Sequence, residues 1–156
     1  MLHKNEKRVV VGIGVIVFKD GKILLGKRKT DPGAGEFALP GGLLEHGETI
    51  TEGAQREVLE ETGIKIKDTA YVATANALNY PPTHCLLIGV SAHWEYGDPE
   101  VKEPSKHESW AWCSVEETPQ PFFRMSAIIL HCFHRMESYM DEKHIQQFFP
   151  KNNSFP

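Results

Sequence analysis

Glu57, Glu60 and Glu61 lie within a single helical turn's length of sequence. A helix advances about 100° per residue, so the three carboxylates fall in a sector roughly 100° wide, and Gly53 lies in the same sector. Like charges at this spacing repel by a few tenths of a kcal/mol per exposed pair, a penalty that a divalent cation held among them reverses. Oxygen-only donors suit Mg2+, with Mn2+ the second choice, over zinc. No His/Cys set with zinc-ligand spacing competes. Ile50, Ala54 and Val58 border the sector, which puts the acids at the edge of a core-facing stripe. The plain alternative is a salt-bridge ladder, because Glu52, Arg56 and Glu60 repeat at intervals of four. The flanking residues make the pattern more restrictive than a charge run. Gly41-Gly42 lies just before the helix, Glu48 stands at its entrance, and Arg56 precedes Glu57 where it can brace the neighbouring acids or the loop.

The helix that carries these acids is well marked. Thr49-Ile50-Thr51-Glu52 has the spacing of a capping box and Gly63 is placed as the C-terminal stop, predicting a helix over Ile50 to Thr62. Upstream, Val9 to Phe18 and Lys22 to Arg28 read as a β-hairpin turned by Asp20-Gly21. A Gly/Pro-rich loop (Asp31 to Gly35), the short apolar piece Phe37-Ala38-Leu39 and then Pro40-Gly41-Gly42 follow. Downstream, Ile64 to Ile66, Tyr71 to Leu78, Cys85 to Trp94 and Ser109 to Cys113 read as strands. Ser126 to Met140 reads as a second helix, with Ile129, Cys132, Phe133 and Met136 along its apolar stripe. The expected fold is α+β, an α/β/α sandwich with a mixed β-sheet flanked by two helices.

The 156 residues fit one domain, 1–156 with a core of about 8–140, whose 40% hydrophobic and 24% charged composition is that of a soluble globular protein. A net charge of -4 argues against a protein that grips long nucleic acid by its phosphates, so an anionic substrate calls for a metal ion. Three cysteines, Cys85, Cys113 and Cys132, make no even framework and no CxxC pair; the expectation is reduced thiols in a cytoplasmic protein. There is no signal-peptide pattern and no apolar run of the roughly 18 residues that would indicate a membrane span.

Gly42, Glu48, Arg56-Glu57-Val58, Glu60-Glu61 and Gly63-Ile64 resemble, position for position, the Nudix box G-x5-E-x7-R-E-U-x-E-E-x-G-U, where U is aliphatic. The chain is thereby identified as a member of the Nudix hydrolase superfamily, which implies its fold. The resemblance implies Glu57 and Glu61 as the most direct metal ligands, Glu60 as a further member of the metal or water network, and the carbonyl of Gly41 as an extra ligand. It implies Glu48 and Arg56 as part of the catalytic constellation, and metal-assisted displacement by water at a phosphorus of a diphosphate. Outside the box, Leu24 to Arg28, Gly33 to Gly42 and Glu108-Ser109-Trp110-Ala111-Trp112 are similar to the MutT-type and plant-type nucleotide diphosphatases. In that branch an acid before the Trp-x-Trp strand reaches the metal. Here Ser105 replaces one acid of the relatives' E-P-E-K stretch, leaving Glu103 or Glu108, and Glu108 is counted with the metal residues.

Arg28 is a candidate phosphate clamp, since guanidinium binds phosphate through two parallel hydrogen bonds. Phe37, Leu39, Gly42, Phe122, Phe123 and Met125 are the candidate substrate-binding residues, an apolar pocket with aromatic faces for a base. Trp110 and Trp112 share strand spacing and read as core. The histidines are scattered, with no two at ligand spacing near the acids; His46 reads equally well as a solvated loop residue. The expected substrate is a nucleoside triphosphate, including oxidised or non-standard deoxynucleotides. ADP-ribose, nucleotide sugars and isoprenoid diphosphates are the alternatives, Pro81 or Pro82 weakly favouring ADP-ribose. A non-catalytic binding module ranks last because the box glutamates are all present. No partner beyond this small diphosphate is expected, apart from a second copy in a homodimer.

Overall fold

A computed structural model describes residues 8–80 and 83–149. Its elements run β1 (Val9–Lys19), β2 (Lys22–Arg28), β3 (Phe37–Ala38), β4 (Gly41–Leu43), α1 (Ile50–Thr62), β5 (Lys65–Tyr80), β6 (Thr83–Tyr96), β7 (His107–Ser114), α2 (Arg124–Arg135), β8 (Tyr139–Met140) and α3 (Glu142–Phe148). The strands form one mixed sheet in the order β3-β2-β1-β6-β5-β8, with β4 against β1 and β7 against β2. β1 and β6 run parallel from Val9 against His84 to Phe18 against His93, while β5 and β6 are antiparallel. The α+β class and the mixed sheet flanked by helices are as the sequence predicts.

Alternation along β1 sorts the core into two layers. Ile13, Val15 and Val17 face α1, where they meet Ala54, Val58, Ile64, Val90 and Trp110. Ile16 faces the other way, into the layer of Leu25, Leu87, Met125, Ile128, Ile129, Met140 and Ile145 under α2 and α3. Gly14 and Gly89 let α2 approach closely, because a Cβ at either would run into the side chain of Ile129. The sheet is therefore clamped at its centre, and α1 stands with one face on β1 and β4.

The structure departs from the expected elements in two places. β5 is one strand where two were expected; its register shifts between Lys67 and Ala70, where Asp68 turns to φ 52° and absorbs the break. The expected helix Ser126 to Met140 is instead α2, ending at Arg135, followed by β8 and α3, so the described residues hold three helices and not two. Met136 takes a left-handed φ of 55°, its N–H donating to the carbonyls of Cys132 and Phe133. No glycine announces that stop, which is why the apolar stripe reads through it. Tyr139 and Met140 then pair in parallel with Thr74 and Ala75, and Asp141 caps α3 through the His144 N–H at 3.0 Å.

Candidate active site

α1 is fixed at both ends. The Thr49 hydroxyl accepts from the Glu52 N–H at 3.2 Å and the Glu52 carboxylate accepts from the Thr49 N–H at 2.7 Å, the reciprocal capping box. Gly63 closes the helix at φ 75°, donating its N–H to the Leu59 carbonyl at 2.9 Å. Gly53 faces β1 and the entrance loop, with Ile13 Cδ1 2.8 Å and Glu48 Oε1 2.9 Å from where a Cβ would stand, so a larger residue would have to displace those two side-chain ends. That seating carries the acid face of α1 onto β4.

Glu61 is buried at 5% exposure, its Oε2 accepting from the Gly41 N–H at 3.0 Å. Burial pushes its carboxyl up to about 8, the Gly41 hydrogen bond opposing and the charges of Glu57 and Glu103 adding to the rise. Burial likewise raises Glu57, with the Arg56 guanidinium working against it. Glu57 lies so close to Gly42 that a Cβ there would land on its carboxylate. Glu60 is the most exposed of the three, half open to solvent.

Arg56 organises the acids. Its Nε and Nη2 donate to both oxygens of Glu48, at 2.9 and 2.7 Å, and Nη2 also reaches the Leu43 carbonyl at 3.0 Å. Nη1 reaches Glu57 at 2.8 Å and Glu60 at 3.3 Å. The fork ties the loop before the helix to the helix itself, and raises the already high guanidinium pKa further, first through Glu48. Glu48 is held down to about 2 by Arg56 and by the Glu45 N–H. Both Glu48 oxygens are thus engaged by Arg56.

The structure does not bring Glu108 to this cluster. Its carboxylate lies 3.3 Å from Lys27 Nζ on the exposed side of the sheet. The cause is a β-bulge: Lys27 pairs with Ser109 but Arg28 pairs with His107, so Glu108 is the extra residue. Counted back from buried Trp110 by twos, Glu108 would face inward; the bulge puts His107 there instead. His107 is 4% exposed, its ring packed at a tilt against Trp110 at 4.6 Å between centroids and its Nε2 3.9 Å from Glu61 Oε1. Burial, then the charge of Arg28, pushes its pKa down to about 4, keeping the ring neutral. The other loop acid, Glu103, takes Lys106 Nζ on Oε1 at 2.8 Å, while its Oε2 and His107 Nδ1 are buried with no hydrogen-bond partner. His107 and Lys106 are polar residues at the site that sequence reasoning did not single out.

A cleft of about 590 Å³ has Arg28, Thr30, Gly41, Gly42, Leu43, Leu44, Glu45, Glu57, Glu61, Lys106 and His107 on its walls. A smaller apolar pocket of about 270 Å³ adjoins it and shares Arg28, Gly41, Gly42 and Leu43. Leu39, Phe123 and Met125 line that pocket, together with Cys85 and Ile129. Phe37 and Phe122 do not; they pair with each other as a backbone bridge, and Phe122 is 4% exposed in the core. Arg28 stands where cleft and pocket meet, its guanidinium over the Phe123 ring at 4.2 Å and its Nε on the Pro32 carbonyl at 3.0 Å. Trp110 and Trp112 pack into the α1 layer, and His46 is exposed, outside both cavities.

The donor chemistry fits a divalent cation. The ligand atoms of Glu61, Glu103 and His107 lie within 4.8 Å of one another, and a buried acid oxygen and a neutral imidazole without hydrogen-bond partners are costly alone and would be satisfied by a positive ion. Pro81 and Pro82 lie outside the described residues. No helix among the described residues is long and apolar enough to cross a membrane.

Residues 8–132 match the NUDIX domain family. The chain is 56% identical over 54 residues to an ADP-ribose pyrophosphatase of Methanocaldococcus jannaschii, covering 35% of this chain and 32% of that protein. It is 33% identical over 105 residues to an NAD-capped RNA hydrolase of Haemophilus influenzae, 66% of this chain and 38% of that protein. The matched part thus spans well under half the length of either relative. Among solved structures, a MutT NUDIX hydrolase from Burkholderia pseudomallei superposes with a TM-score of 0.75 at 32% identity, covering 80% of this chain and 98% of that one.

Proposed function

The chain belongs to the NUDIX domain family, and from that premise we propose that it is a divalent-metal-dependent hydrolase of nucleoside triphosphates, releasing a nucleoside monophosphate and diphosphate. Oxidised or non-standard deoxynucleotides are included among its substrates. The observation that carries this reading is the adjacency of the two cavities: an acid-walled cleft and an apolar pocket with Phe123, Leu39 and Met125 share Arg28, Gly41, Gly42 and Leu43 in their walls. One end suits phosphates with a cation, the other a flat ring.

In this reading Glu57 and Glu61, with the carbonyl of Gly41, hold Mg2+ or Mn2+, which supplies charge neutralisation of the diphosphate and a more acidic water. Glu60 is left to hold the attacking water at its exposed carboxylate. Arg56, itself fixed by Glu48, keeps Glu57 and Glu60 in place. Arg28 grips a phosphate at the mouth of the pocket, and Phe123 and Met125 receive the base. Glu108 takes no part. A second reading, hydrolysis of ADP-ribose, is favoured by the local identity to the archaeal ADP-ribose pyrophosphatase.

The test is turnover with identified products on standard and oxidised triphosphates, ADP-ribose, a nucleotide sugar and geranyl diphosphate. The proposal expects the highest kcat/KM for a triphosphate, monophosphate and diphosphate in equal amounts, and no turnover in chelator. A higher kcat/KM for ADP-ribose or geranyl diphosphate, or release of single phosphate, would overturn it.

A further inference from the structure

Glu61, Glu103 and His107 bring three ligand atoms within 4.8 Å of one another, Glu61 on α1 lying more than forty positions before Glu103 on the loop and His107 on β7. We propose that His107 is a nitrogen ligand of the cation held at the α1 acids, with Glu103 beside it, so that the protein prefers Mn2+ or another first-row transition ion to Mg2+. The inference rests on the cation-site reading above and adds to it a donor of different chemistry.

Three features of His107 support this. Its side chain is 5% exposed, and its Nε2, the nitrogen facing Glu61, makes no hydrogen bond among the described residues. Its Nε2 stands 3.9 Å from Glu61 Oε1. Donors about 2.1 Å from one octahedral ion lie roughly 3–4 Å apart, so an ion between these two groups needs only small side-chain adjustment. Finally, the ring is already oriented, packed against Trp110 and carried inward by the bulge at Glu108.

Glu103 is prepared in the same way. Lys106 occupies its Oε1 at 2.8 Å, which fixes the carboxylate and leaves Oε2 buried without a partner. A core histidine packed for its shape alone would not account for a second orphaned polar atom in the same cluster. The preference follows from ligand type. Mg2+ takes oxygen donors and gives up water reluctantly, whereas a nitrogen donor favours first-row transition ions, for which the affinity of one site rises from Mn2+ along the row.

Electron spin-echo modulation of Mn2+ bound to the full chain reads the nitrogen directly. Bound Mn2+ should show modulation from a coordinated 14N, and His107→Asn should abolish it. That variant should raise the Mn2+ dissociation constant about tenfold, an effect of the size seen when a metal site loses a supporting group, and leave the Mg2+ constant within about twofold. Mn2+ binding without 14N modulation in the unmodified protein overturns the inference while leaving the hydrolase reading intact. Modulation that persists in the variant assigns the nitrogen elsewhere and also overturns it. Failure of the protein to bind Mn2+ at all removes both. The wild-type spectrum decides the question even if the variant does not fold.

Discussion

Glu61→Gln should make the metal-free protein more stable at alkaline pH while deleting its response to a divalent cation. The carboxyl is 5% exposed and its folded pKa stands at about 8 against an ordinary 4.5. Because the folded value is raised, the folded state binds the proton more tightly than the unfolded chain. Stability is then fully present below about pH 4.5, falls as pH rises through the interval to about 8, and levels off above it. At about 1.36 kcal/mol per pKa unit, the loss across that window is on the order of 3–5 kcal/mol, the solvent screening of so buried a group being small. For a chain of this size that is on the order of 10 °C in Tm. Glu57 and Glu103 face the same carboxyl and Lys106 opposes them, so the difference between wild type and variant isolates Glu61. The glutamine oxygen can still accept the Gly41 N–H, which keeps the local backbone satisfied. Thermal melts in chelator from pH 5 to 9 should therefore slope downward for wild type and stay flatter for the variant. Excess Mg2+ at pH 8 should restore wild type and leave the variant unmoved. A variant that Mg2+ still stabilises, or a wild type whose pH slope equals the variant's, refutes the assignment of the buried charge.

Three further outcomes follow from named contacts. Gly42→Ala puts a methyl group on the Glu57 carboxylate; kcat should fall about 100-fold, the scale of an ångström's misplacement, with Tm nearly unchanged. Arg56→Lys keeps the charge but loses the fork across Glu48, Glu57 and the Leu43 carbonyl; urea denaturation should register about 1–3 kcal/mol of destabilisation together with a lower kcat. Arg28→Ala should lower kcat/KM for a triphosphate about 10–100-fold, chiefly through KM, and Arg28→Lys should restore only part of it because the two-pronged grip is gone.

The helix and its acids were legible because local rules decided them: the capping box at Thr49 and the left-handed Gly63 set α1 at both ends, and helical spacing put Glu57, Glu60 and Glu61 on one face. What could not be read depends on events that leave no composition signal. The bulge opposite Lys27 and Arg28 reverses which of two neighbours, His107 and Glu108, points inward, and strand alternation alone selects the wrong one. The end of α2 falls on Met136, a residue that seldom adopts the left-handed conformation found there, so nothing in the letters separates α2 from β8 and α3. Phe122 and Phe123 are adjacent in the chain, yet one goes to the core and the other to the pocket, because the Phe37 bridge fixes the strand direction just before α2. The engagement of both Glu48 oxygens by Arg56 is likewise a tertiary fact.

The most direct test of the whole account is anomalous diffraction from a crystal of the protein grown with Mn2+ and a non-hydrolysable triphosphate analogue. The account predicts a manganese peak in contact with the carboxylates of both Glu57 and Glu61, at about 2.0–2.3 Å, with the analogue's phosphates on the ion and its base against Phe123. A manganese peak bound away from both glutamates, or an analogue seated outside the Arg28 cleft, would contradict it.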